Sequence, residues 1–193
     1  MGLLILGLVV FLGIHLVPAL PRKRHKLVKL LGDQGYKIFY AVTALLGLGL
    51  IIWGYSRSLE EPTVLFDLPY GMRHATMALV LLAFIFFASA RLKGYLRYWV
   101  RHPLILAVKL WAFAHLLVKG GDLAGLLLFG AFLAWAVFAR ISAKKREAVG
   151  LVKTRDFEPN WLHDVIAVVI GVALYLAFAF YLHNVLIGVP LIR

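Results

Sequence analysis

Six long apolar runs constrain this chain more than any other feature. They cover residues 2–20, 38–56, 72–90, 103–119, 122–139 and 164–187. A largely uncharged run of about 18 or more residues, coiled as a helix, matches the hydrocarbon thickness of a bilayer. In lipid every backbone N–H and C=O must be satisfied within the protein, so such runs span as helices. The 193 residues are 63% hydrophobic, and a soluble domain of that size could not hide so much apolar surface. The runs fill most of the chain and leave no room for a soluble domain. The sequence predicts an all-α fold, a polytopic transmembrane helix bundle of about six spans, forming one integral membrane domain over 1–193.

A formal net charge of +12 raises the possibility of nucleic acid, but the placement of the charges points to lipid. Arg22, Lys23, Arg24, Lys26, Lys29 and Lys37 follow the first run, and Arg91, Lys93, Arg97 and Arg101 follow the third. Arg140, Lys144, Lys145, Arg146, Lys153 and Arg155 follow the fifth, so 16 of the 21 Lys and Arg occupy alternate loops. The positive-inside rule then places both termini outside the cytoplasm. The basic loops are expected to lie against anionic lipid headgroups, and nucleic acid is not an expected partner. Residues 1–21 carry no basic residue before their apolar core and no small-x-small cleavage site, so a retained first helix is expected rather than a signal peptide.

Local signals refine this outline. Pro18 and Pro21 are expected to end the first helix, and Gly2, Gly7 and Gly13 give it small positions for close packing. Trp53 and Tyr55 suit an aromatic anchor at the outer end of the second span. The loop 57–71 is expected to be irregular. Basic and aromatic residues interleave over 91–102, the pattern of a segment lying on the membrane surface. Pro103 suits the first turn of a helix. Lys119-Gly-Gly-Asp122 reads as a tight helical corner, with Asp122 the N-cap of the next helix. The inner loop 140–162 is polar and expected to be mobile.

Cysteine is absent, which excludes thiolate ligands and covalently attached haem. The candidate chemistry therefore falls on seven histidines, at 15, 25, 74, 102, 115, 163 and 183. His25 lies in a basic loop. His74, His163 and His183 lie near span ends, where interfacial hydrogen bonding accounts for them as well as function does. His15 and His115 have apolar neighbours on both sides, and an ionisable group in a membrane span is a functional candidate by default. Imidazole is a good ligand for haem iron, and two such residues on different helices suggest a bis-histidine b-type haem site. The bland alternative is hydrogen bonding between helices. Depth alone would pair His115 with His74 or His183, and His15 with His102 or His163. Lys109 follows His102 by seven residues, on the same helix face. Arg97, Arg101, His102 and Lys109 are candidates to bind an anion. Trp111 lies one turn before His115 and would wall an apolar pocket or simply pack in the core.

These residues resemble the NnrU family of bacterial integral membrane proteins over nearly the whole chain. The resemblance rests on Phe11-Leu-Gly-Ile-His15 and the basic loop after it. It rests also on Arg101-His102-Pro103, then Leu110-Trp111-Ala-Phe-Ala-His115-Leu-Leu and Gly121-Asp122. It implies a bacterial inner membrane location with both termini periplasmic, and an association with denitrification through nitrite and nitric oxide reduction. The related plant zeta-carotene isomerase carries a b-type haem and performs a redox-gated cis–trans isomerisation. Its haem histidines match His15 and His115, which the resemblance therefore implies as metal ligands. Arg101, His102, Lys109 and Trp111 would then serve cofactor binding, by holding propionates or substrate. The implied partners are membrane lipids, an apolar polyene or nitrogen-oxide ligand, and respiratory membrane proteins. Arg-His-Pro before an apolar helix is also similar to isoprenylcysteine carboxyl methyltransferase-like enzymes, which use S-adenosylmethionine. Here Glu147 stands alone and the aromatic stretch of those enzymes is missing, so methyl transfer is the alternative. A non-enzymatic accessory role in assembling respiratory enzymes is the third.

Overall fold

The computed structural model describes residues 1–68 and 71–188, which form two compact units, Met1–Thr63 and Val64 onward. Among these residues there is no strand, and one isolated bridge joins Val64 to Asp122.

The first unit is a helical hairpin. Helix α1 (Gly2–Leu16) ends in a 3-10 turn over Val17–Ala19, and α2 (Pro21–Ser58) follows directly. Pro18 and Pro21 stand at this break as expected, Pro21 at the first position of α2. The basic stretch after Pro21, expected as a loop, is helical. Its Lys, Arg and Leu are good helix formers, and only Gly32, at φ 71 and ψ 168, interrupts it. Two turns of the hairpin depend on missing side chains. A Cβ at Gly7 would lie 2.6 Å from the backbone nitrogen of Ile51, and one at Gly47 would lie 2.7 Å from that of Phe11. Leu4 likewise backs onto Gly54. The paired numbers rise on one helix as they fall on the other, so α1 and α2 run antiparallel with their backbones nearly touching. Gly2 and Gly13 face open space and take no part.

The second unit contains α3 (Met72–Ser89), α4 (Tyr95–Val100), α5 (Pro103–Lys119), α6 (Leu123–Ala148) and α7 (Trp161–Ala177). The last helix continues through a π-helical stretch, Phe178–Leu182, into α8 (His183–Ile187). Helix α3 packs against both α5 and α7, and α5 packs against α6. The Thr76 hydroxyl donates to the Ala114 carbonyl at 2.9 Å, tying α3 to α5. Asp122 caps α6 as expected, accepting from the Gly125 amide at 2.6 Å.

The surface segment expected over 91–102 is the short helix α4, which is too short to be stable alone. Asp164, in the first turn of α7, accepts from the amides of Tyr95 and Leu96 at 2.7 and 2.9 Å and so supplies the missing cap. The loop after α6 is shorter than expected, because α6 runs to Ala148. What remains is anchored. Arg155 donates to the Tyr98 carbonyl at 3.1 Å and lies over the Tyr98 ring, while the Asn160 amide donates to Lys93 at 2.9 Å.

Five helical stretches are long and apolar enough to cross a membrane: Gly2–Ala19, Pro21–Ser58, Met72–Ser89, Leu123–Ala148 and Trp161–Ile187. They account for five of the six expected spans. The sixth run is α5, whose 17 residues extend about 26 Å at the helical rise, against a core of about 30 Å. Many large aliphatic and aromatic side chains in these helices are exposed, as lipid contact requires.

Candidate functional site

His15 occupies the last turn of α1. Its Nδ1 lies 2.6 Å from the Phe11 carbonyl. The ring rests against Phe11 at 4.2 Å between centroids and meets the Tyr40 ring edge-on at 5.3 Å. His115, on α5, repeats the arrangement: Nδ1 lies 2.8 Å from the Trp111 carbonyl. A carbonyl oxygen only accepts, so in both residues Nδ1 carries the proton and the basic lone pair is on Nε2. Ligating histidines are oriented in this way, with one ring nitrogen donating to a carbonyl and the other meeting the metal. The His115 ring stacks on Phe129 at 4.6 Å and 25°, and Trp111 lies 5.1 Å from it. Trp111 also meets Phe129 and Phe132 edge-on at 5.1 and 5.2 Å. His115 therefore sits in an aromatic cage built by α5 and α6.

Arg101, His102 and Lys109 gather elsewhere, at the start of α5. Arg101 closes α4 with φ 65, a left-handed backbone that few non-glycine residues adopt. His102 precedes Pro103 and is accordingly kept out of the helical region, at φ −130 and ψ 63. This bend turns both side chains toward α6. Arg101 Nη1 donates to Glu147 Oε1 at 3.2 Å, Thr154 donates to the same oxygen at 2.6 Å, and His102 Nε2 lies 3.7 Å from Oε2. The His102 side chain is only 13% exposed. Burial holds its imidazole below the ordinary range, and Arg140 and Arg146 push the same way against the opposing pull of Glu147. Beside this cluster is a cavity of about 180 Å³ lined by Trp99, Val100, His102, Ile105, Leu106, Lys109 and Arg140.

The structure thus divides the residues singled out from the sequence. Arg101, His102 and Lys109 come together, whereas Trp111 belongs to the His115 cage. Arg97 points away, its guanidinium over the Phe157 ring at 5.1 Å. His25 and His74 are exposed, and His163 is half-buried in the first turn of α7. Arg140, Glu147 and Thr154 were missed as members of the cluster. The signal for Arg140 was present: it and His102 are equally distant from Gly121, and residues equally distant from the corner of a helical hairpin come level. Among the described residues no three His, Asp or Glu side chains gather in a metal-binding cluster.

No curated protein and no solved structure gives a significant match to this chain. The family profile described as NnrU protein matches residues 3–191. With a helical membrane fold and that match spanning nearly its whole length, the chain belongs to the NnrU family.

Proposed function

We propose that this chain binds a b-type haem, with His15 and His115 as its axial ligands. One observation carries the reading: both rings are fixed by an Nδ1–carbonyl bond four residues back, which leaves Nε2 as the basic nitrogen in each. The donor set suits a porphyrin, which brings four nitrogens of its own and needs one or two from protein. A centre relying on three or more protein ligands has no such cluster among the described residues. The aromatic faces of Trp111 and Phe129 suit a flat macrocycle beside His115. A bound haem would supply a one-electron couple and a Lewis-acidic iron. The protein's part is to orient the imidazoles and exclude water. The activity we propose is redox chemistry tied to nitrite and nitric oxide reduction, or cis–trans isomerisation of an apolar polyene. Its setting is the bacterial inner membrane, beside respiratory partners.

The test is a reduced-minus-oxidised visible spectrum of detergent-purified protein, with a pyridine haemochrome assay. A sharp reduced α-band at near one haem per chain is the expected result, with loss of haem in His15→Ala and His115→Ala. Colourless protein from haem-replete cells would remove the reading, and full haem content in both variants would remove the ligand assignment. Methyl transfer gains little support beside this, because the cavity next to Arg101-His102-Pro103 measures about 180 Å³. Pockets for drug-sized ligands begin at about 300 Å³.

A further inference from the structure

We propose that the cavity beside the α4–α5 bend is a binding site for a phosphate-class oxyanion, held by Lys109, Arg140 and His102. Two cations line it and no carboxylate does. The nearest acid, Glu147, is already engaged by Arg101 and Thr154. Among the described residues neither Lys109 nor Arg140 has a salt-bridge partner. Arg140 Nη1 is buried without a hydrogen-bond partner, His102 Nε2 is buried with only the 3.7 Å approach of Glu147 Oε2, and both residues line the cavity. A buried donor left unsatisfied costs free energy, and a buried charge without a counter-ion costs more. An anion in the cavity would satisfy both donors and neutralise the two cations. The amino end of α5 adds to the attraction, since no side chain caps it and its dipole favours negative charge there.

Size and surroundings narrow the ligand. A volume of about 180 Å³ admits a tetrahedral oxyanion with part of what it is attached to. Val100, Ile105 and Leu106 supply an apolar wall, and Trp99, 67% exposed, also lines the cavity. The same chemistry would take the phosphate of a lipid headgroup or a free phosphate ion. A haem carboxylate is a poor occupant of the inner end. His102 and His115 are thirteen residues apart on α5, about 20 Å along the axis, farther than a porphyrin carboxylate extends from its iron. Phosphate binding is measured directly, so its failure is distinguishable from a failure of haem binding.

The experiment uses the full chain purified in phosphate-free buffer, stripped of lipid, and exchanged into bilayers of either phosphatidylglycerol or a phosphate-free galactolipid. Retained phospholipid is read by native mass spectrometry, and inorganic phosphate binding by titration calorimetry in the galactolipid sample. One phospholipid retained per chain, with no response to inorganic phosphate, assigns the site to a lipid headgroup. Saturable phosphate binding in the galactolipid sample assigns it to a free anion. Lys109→Gln and Arg140→Gln are each expected to weaken whichever is found by about tenfold or more, the scale of one charged hydrogen bond. Lys153→Gln, at an exposed pair with Asp156, should leave it unchanged. Arg140→Lys keeps the charge and serves if Arg140→Gln does not fold. Absence of both ligands, or equal binding by folded Lys109 and Arg140 variants, overturns the proposal.

Discussion

His102 is the residue whose environment can be read most directly from outside the membrane. Burial, with the charges of Arg140 and Arg146, pushes its imidazole below the ordinary range against the opposing pull of Glu147. Its folded pKa lies below the unfolded value of about 6.5, so the unfolded chain takes up the proton first. Stability is therefore fully present above that pH and falls as the pH drops below it. Thermal unfolding of the wild type should shift to lower temperature between about pH 7 and pH 5. In His102→Gln that part of the slope should vanish, and an unchanged slope would show that other groups carry it. The sequence made Arg101, His102 and Lys109 legible because ionisable groups stand out among apolar ones. It did not make Glu147 legible as their partner, since a lone acid in a basic stretch carries no mark of which cation it will meet. Only the continuation of α6 to Ala148, well past the apolar run, brings it there.

At the scale of elements, the first hairpin depends on backbone contact rather than on large side chains. Gly47→Val would force a side chain into the Phe11 backbone, where neither helix can yield without separating. A loss of about 1–3 kcal/mol is expected, the usual cost of overpacking, read as a fall in unfolding temperature in detergent. Gly13→Ala meets nothing and should cost nothing or stabilise slightly, since alanine favours a helix. Equal effects of the two would dismiss the packing account. Helix existence and order followed from apolar length alone, and Asp122 and Pro103 marked their boundaries as read. The glycine seam was half legible. Composition marked the first helix as rich in small residues, but which glycine faces a partner is decided by helix phase. Gly7 does, and Gly2 and Gly13 do not. Helicity beyond Pro21 is not legible from charge alone, because Lys and Arg suit a solvated loop and are also good helix formers.

For the molecule as a whole, the alternation of basic loops sets a testable topology. The absence of cysteine makes the test clean, because any introduced thiol is the only one. Thr63→Cys and Ser142→Cys should label from opposite sides of intact cells or inverted vesicles. A cysteine at Lys119, in the last turn of α5, asks whether that helix, at 17 residues, carries the chain across. Labelling of Lys119→Cys from the same side as Thr63→Cys supports six crossings with both termini outside. If α5 does not cross, Lys119→Cys should label from the side opposite Thr63→Cys and Ser142→Cys from the same side as Thr63→Cys, which leaves five crossings. Charge bias is visible in the sequence, and so is the shortness of α5, because the expected run 103–119 has the bounds observed for the helix.

The two amides that begin α4 are held by a carboxylate nearly seventy residues further on. During synthesis the ribosome has produced α4, α5 and α6 long before Asp164 emerges. Until then the short surface helix has no cap, and the bend that carries Arg101 and His102 has no fixed support. The wall of the cavity is thus among the last parts of the protein to set, and its assembly waits on insertion of the final helix. A chain stalled or cut before that helix would retain most of its hydrophobic segments yet lack a finished surface corner. Membrane quality control, which responds to exposed and unsettled segments, would meet such a chain as incomplete.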